Sequence, residues 1–241
     1  MDSAMLLGLQ SQRLLQRRMD IAANNLANVS TTGFKADQLV VEEITPPETF
    51  ATEGPRDIRF SRDLTVARDL RQGPITVTGN PLDLAIEGDG YFTVQGEDGP
   101  LYTRDGAFTL DGSGQLVTGD GRPVLNQGGA PIVIDPRSEQ PTIDRQGVIR
   151  IAGVEAGRVG VVQFDRPGAL ERVGENLWDA GDQLSAPAEG QVIQGALESS
   201  NVIAIVEMTN LIQISRAYES AARVVRSADD LRQRAIDRLG R

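Results

Sequence analysis

Residues 195–227 read GALESSNVIAIVEMTNLIQISRAYESAARVVRS. Within and just beyond them, Leu211, Tyr218 and Val225 recur every seventh residue, and Ile214, Ala221, Ala228 and Ala235 run three behind. Apolar positions alternating at three and four residues lie on one stripe of an α-helix. Val202, Ile205, Val206 and Met208 widen that face upstream. Ser199, Ser200 and Asn201 stand before it as an ordinary polar cap. Arg232, Arg234 and Arg238 crowd the far end, where cations suit the carbonyl end of a helix. The spacing predicts a helix from Asn201 to Arg238, about 57 Å long at 1.5 Å per residue. A compact chain of this size measures roughly 45–50 Å across, so the helix outreaches the globule. A stripe this long suggests a coiled coil.

The other end carries a second stripe. Met5, Gln12, Met19 and Leu26 are seven apart, and Gly8, Leu15, Ala22 and Val29 follow three behind. Asp2 or Ser3 caps the start. Asn28, Ser30, Thr31, Thr32 and Gly33 form the stop, since short polar side chains compete for backbone bonds and Gly accepts a left-handed geometry. The helix is placed at residues 4–29. Asn24, Asn25 and Asn28 either set register through side-chain bonds or are surface polarity before the stop. The two stripes can pair with each other. Ala217, Ala221, Ala222 and Ala228 permit close approach of a neighbouring helix.

Between the ends the periodicity changes to two. Residues 82–86 alternate, 90–95 form another strand, and 102–104, 107–110 and 115–118 are short strands separated by Asp105–Gly106 and Asp111–Gly112–Ser113–Gly114. Asp–Gly steps are hairpin signals. Further strands are expected at 132–134, 142–143, 148–151 and 159–164. Strands so short and closely spaced point to an antiparallel sandwich or open barrel. Trp178 reads as a local anchor of the returning chain.

Composition narrows the function. The 241 residues are 39% hydrophobic and 24% charged, with a net charge of -10 and neither Cys nor His. An acidic chain argues against nucleic-acid binding. Without Cys or His there are no disulfides, thiol nucleophiles, His-based triads or ordinary zinc sites. Residues 1–30 and 196–241 are each net +1, so the middle carries -12. Both ends lack Pro, and Gly is concentrated in the middle. Gly88, Gly90 and Gly96 have the wrong interval for a dinucleotide fingerprint and read as turns. Asp105, Asp111 and Asp120 lack the ligand order of a calcium loop and also read as turns. Arg13, Arg17 and Arg18 read as a polar helix face. No run approaches the 18 or so apolar residues that cross a bilayer. Asp2 and the polar run Gln10–Arg13 do not fit a cleaved secretory signal.

The expected fold class is mixed α and β. N- and C-terminal helices pair as an elongated coiled-coil-like base, with a central antiparallel β-rich domain between them. The expected divisions are an N-terminal helix (1–35), an extended, turn-rich linker (36–77), a β-rich domain (78–185), a returning linker (186–198) and a C-terminal helix (199–241).

Three further stretches make the ends specific. Residues 20–35 read DIAANNLANVSTTGFK, residues 82–92 LDLAIEGDGYF, and residues 102–121 YTRDGAFTLDGSGQLVTGDG. With 195–227, these resemble the bacterial flagellar rod and hook family, which builds the axial shaft of the flagellum. The combination of ANNLANVSTTGF with SNV and RAYE is highly specific, and the resemblance covers essentially the whole chain. ESSNV at 198–202 departs from the commoner family pattern only at Ser199, a conservative change at a turn. The start, the compact length and the short linker after Phe34 resemble a proximal rod member, with the distal rod type the near alternative.

The resemblance implies a non-catalytic structural subunit of the basal-body rod, spanning the periplasm, exported without a cleaved signal peptide. It implies that the terminal helices form an inner core around the export channel, with the β domain outward. It implies no cofactor. The implied partners are further copies, neighbouring proximal rod subunits, the distal rod protein and the flagellar type III export apparatus, with no nucleic acid and no membrane insertion. The expected assembly interface is Met5, Leu15, Met19, Ala22, Asn25, Leu26 and Asn28 on the first helix. On the second it is Val202, Leu211, Ile214, Tyr218, Ala221, Val225 and Ala228. These faces are expected to find full cover only on assembly, because packing stabilises amphipathic helices more than propensity does. A reading from another class is a soluble binding module that dimerises through a simple coiled coil.

Overall fold

The computed structural model describes residues 2–42, 63–135, 137–174 and 176–239. Its terminal helices are α1, Asp2–Ala27, and α2, Ala204–Leu239, 26 and 36 residues long. α1 has the expected length but lies two residues earlier, and α2 is two residues shorter than periodicity alone predicted, for local reasons. After Ala27 the chain turns, with the Thr31 N–H bonded to the Asn28 carbonyl at 3.2 Å and the Thr31 hydroxyl donating to Asn28 Oδ1 at 3.1 Å. Asn201 does not open α2, because its side chain is bonded elsewhere: it accepts the Ala36 N–H at 2.8 Å and donates to the Arg71 carbonyl at 3.0 Å. The first helical bonds return instead to the Ile203 carbonyl.

The fold is mixed α and β, with paired terminal helices and antiparallel sheets between them in sequence. It divides into two units. The first holds residues 1–27, 37–69 and 203–241; the second holds 28–36 and 70–202. In the first unit, α1 packs on α2 and on a two-stranded ribbon, Asp37–Glu42 paired antiparallel with Asp63–Arg68. This ribbon lies where a linker was expected, and residues 43–62 of that linker lie outside the described residues.

The second unit is built on a six-stranded antiparallel sheet. Its order is Glu171–Arg172, Leu177–Asp179, Pro100–Thr103, Tyr91–Gln95, Val161–Gln163 and Ala186–Pro187. Alternation along Tyr91–Gln95 sends Phe92 and Val94 to one face and Tyr91 to the other. The first face joins Leu84, Ile86, Phe108, Ile149 and Val159 in the main core. The second joins Tyr102, Phe164, Leu170 and Trp178 in a smaller one. Phe92 meets Phe108 edge-on at 5.2 Å, and Tyr102 meets Phe164 edge-on at 4.7 Å. Both are favourable aromatic geometries.

Residues 186–198 were expected as a returning linker, but most of them lie in strands. Gln191–Gln194 pairs with Leu84–Glu87, and Ala196–Glu198 with Ile75–Val77. Pro187 sits on the sheet edge, where a missing N–H costs no ladder bond.

The turns absorb the aspartates. Asp111 accepts the Gln115 and Ser113 N–H groups, both at 2.8 Å, and these bonds hold its carboxyl below the usual range. Asp120 is engaged by Thr118 and Arg122. Asp105 accepts the Thr32 hydroxyl at 2.6 Å and the Ala107 N–H at 3.1 Å. Burial nevertheless pushes its carboxyl up.

Candidate assembly interface

Two contacts define how the helices pair. A Cβ placed on Gly8 would lie 2.5 Å from Val225 Cγ2, so a side chain there would force Val225 or the helices to shift. Near the other end of α1, Asn25 Nδ2 donates to Glu207 Oε1 at 3.4 Å. The early residue of α1 meets the late residue of α2 and the reverse, so the helices run antiparallel. At equal rise along both helices, this register sets Leu15 level with Tyr218, Met19 with Ile214 and Ala22 with Leu211.

Burial follows the two stripes. Ala22 is buried, and Leu15, Met19 and Leu26 are half-buried; so are Leu211, Ile214, Tyr218, Ala221 and Val225. Met5 and Ala228 lie in the helices, but their side chains fall outside the described residues.

Three expected interface residues are committed within the chain. Asn25 is buried; it donates to the Asp37 carbonyl and accepts the Asp37 N–H, both at 2.9 Å. The amide therefore sets register between α1 and the first strand. Asn28 belongs to the turn after α1. Val202 precedes α2 and is buried with Phe34 and Ala36 in the second unit. Asn25 and Val202 are buried, and Asn28 is half-exposed.

Asn25→Ala is expected to remove two hydrogen bonds from the Asp37 backbone. Two lost hydrogen bonds at a buried amide cost about 2 kcal/mol. That lowers Tm by roughly 4–8 °C in a chain of this size. Thermal unfolding followed by far-UV circular dichroism checks it, and an unchanged Tm would remove the register role.

The free apolar surface is a different face of α2. Ile205, Met208 and Ile212 follow i, i+3, i+7 spacing and so share one side of the helix. They are 69%, 47% and 54% exposed. At 3.6 residues per turn they fall on the side away from the stripe that packs on α1. The sequence reading merged Ile205 and Met208 into the covered stripe; their spacing to Ile212 was the signal of a separate one. Further along, the same side carries Arg216, Glu219, Arg223 and Arg226.

Among the described residues no cluster of three or more acidic side chains could hold a metal ion, and no helix is long and apolar enough to cross a membrane. The helical unit thus carries paired helices with an exposed apolar face.

Comparison with known proteins makes the class specific. Residues 8–35 match the flagella basal body rod protein family, 85–151 the flagellar hook protein FlgE/F/G D1 domain, and 193–238 the flagellar basal body rod FlgEFG protein C-terminal family. The chain is 43% identical to the flagellar basal-body rod protein FlgF of Caulobacter vibrioides, covering 100% of this chain and 99% of that one. It is 33% identical to FlgF of Mesorhizobium japonicum over the same shares. It is 31% identical to the flagellar basal-body rod protein FlgG of Bacillus subtilis, covering 95% of this chain and 96% of the relative. The chain belongs to the flagellar basal-body rod and hook family. It is a non-catalytic structural subunit of the flagellar rod, with its place in the periplasm and its contacts among axial proteins.

Proposed function

We propose that this chain is a rod subunit of the proximal type, added to the shaft through the uncovered face of α2. The observation that carries this is the exposed set Ile205, Met208 and Ile212 on a helix whose other stripe already lies on α1. Within the chain, Leu15, Met19, Ala22 and Leu26 support Leu211, Ile214, Tyr218, Ala221 and Val225. The partners are copies of this chain, neighbouring proximal rod subunits and the distal rod protein. The chain reaches them through the flagellar type III export apparatus. Full-length similarity to FlgF proteins supports the proximal position.

The physics favours a filament. A contact between the uncovered side of α2 and a different surface of the next subunit is heterologous, and one that does not close extends instead of forming a ring. Each large apolar side chain buried in such a contact contributes about 1.5–3 kcal/mol before ordering costs. The charged residues farther along α2 fix the register of neighbours more than they add affinity.

Images of basal bodies from a deletion strain test the position. The proximal reading expects no rod beyond the inner-membrane base. A short rod lacking its outer part instead favours the distal type, which the FlgG similarity makes the second reading. A complete rod and hook without this chain contradicts both.

A further inference from the structure

The chain passes between its two units after residues 27, 36, 69 and 202. On the β side, all four passages are fastened at one buried place. Its centre is the Glu198 carboxylate, 1% exposed like Lys35 beside it. Glu198 Oε1 accepts Lys35 Nζ at 2.6 Å and the Gly73 N–H at 2.9 Å. Its Oε2 accepts Arg104 Nη1 at 3.2 Å. Lys35 Nζ also donates to the Arg71 carbonyl at 2.9 Å, and Arg104 Nη2 to the Gly88 carbonyl at 2.8 Å. Asn201 bridges the same segments, from the Ala36 N–H to the Arg71 carbonyl. The Gly33 N–H bonds the Glu198 carbonyl at 2.8 Å. Val29, Phe34, Ala36 and Val202 pack together.

The backbones come very close here. A Cβ on Gly73 would lie 2.0 Å from the Ser199 carbonyl oxygen. One on Gly33, whose φ is +67°, would lie 2.5 Å from the Arg104 carbonyl carbon. Two cations face a single carboxylate, and backbone carbonyls share the excess positive charge. Such a cluster adds little net stability, but removing its one anion strands two buried cations. Its effect is therefore geometric: the segments fit together only as a set.

We propose that this cluster is a collar that locks the four passages into one cooperative unit, opening and closing together, while the hydrophobic core of the β unit opens independently. The proposal stands on the second unit alone and does not depend on the axial reading. A mechanical consequence follows. The chain segments through which the β unit connects to the helical ends keep a fixed mutual spacing under load.

Amide hydrogen exchange of the full chain tests it. Asn201→Ala removes the bonds to Ala36 and Arg71. The Gly33 and Gly73 amides bond Glu198, not Asn201, so they report cooperativity. The collar predicts that both exchange about 10-fold faster in Asn201→Ala, together with 28–36, 70–73 and 196–202, while Val148–Ile151 is unchanged. Lys35→Met is expected to give the same joint pattern. Glu198→Gln, which strands both cations, is expected to speed it by about 100-fold or more. Should Glu198→Gln fail to fold, the two milder variants still decide. Faster exchange confined to Ala36 and its direct partners, or an equal rise in the core strand, overturns the proposal.

Discussion

Ile212→Asp is expected to abolish incorporation into the rod while leaving the chain folded. In the chain Ile212 is 54% exposed, so an aspartate there keeps most of its water. Exposed substitutions of this kind change stability by no more than about 0.5 kcal/mol. At a contact with a neighbour the balance reverses. The lost apolar burial is about 1.5–3 kcal/mol, and an unpaired carboxylate taken out of water adds several more. More than about 4 kcal/mol per contact is roughly a 1000-fold loss of affinity. A shaft repeats the contact at every subunit, so swimming should cease. Absence of the variant from purified basal bodies, with an unchanged thermal melt of the free protein, is the expected pair of results. Met208→Asp should behave alike. Ile214→Asp should not: Ile214 faces α1, so this variant loses the helix pair as well as assembly. Normal incorporation of Ile212→Asp would mean that neighbours use another face.

The second large effect is expected inside the β unit. Phe92 is fully buried, with its ring edge-on to Phe108. Phe92→Ala removes that contact and leaves a cavity the surrounding strands cannot close, costing about 3–5 kcal/mol. Against a total stability of about 5–15 kcal/mol, this is a large fraction. Chemical denaturation should show a lower midpoint with an unchanged slope, since the surface exposed on unfolding is nearly the same. A loss below about 1 kcal/mol would mean that Phe92 is not central to the core. Large-to-small changes in a well-packed core do not come so cheaply.

What the sequence made legible follows from local physics. The two helical stripes are long and regular, so their existence and pairing partners could be read from spacing. The strands from Leu84 to Val117 announced themselves through alternation and Asp–Gly turns. Gln191–Gln194 did not, because two glutamines flank its apolar pair and no long alternation marks it. Its strand character comes from the register against Leu84–Glu87, which is tertiary information. The start of α2 was misplaced for a related reason. Asn201 has the chemistry of a cap, but a distant partner, Ala36, holds its side chain.

The polar collar was the least legible feature. Lys35, Arg104 and Glu198 each sit in a polar stretch that resembles surface, and charged residues are seldom fully buried. Only the fold shows that TTGFK, YTRDG and GALESSNV converge on one carboxylate. Of the expected interface, Leu15, Met19, Ala22 and Leu26 and Leu211, Ile214, Tyr218, Ala221 and Val225 are buried or half-buried helix positions. Asn25, Asn28 and Val202 were read by their spacing alone, and internal bonds or packing hold each of them. The exposed side of α2 was missed because Ile205 and Met208 were counted with the stripe beside them.

Photo-crosslinking from α2 inside assembled basal bodies addresses the central claim most directly. A photoreactive side chain at position 212 should join this chain to an adjacent axial subunit, whereas one at position 218 should mainly link α2 to α1 of the same molecule. Products from position 212 that contain only this one chain, in rods that assemble normally, would contradict the assignment of that helix face.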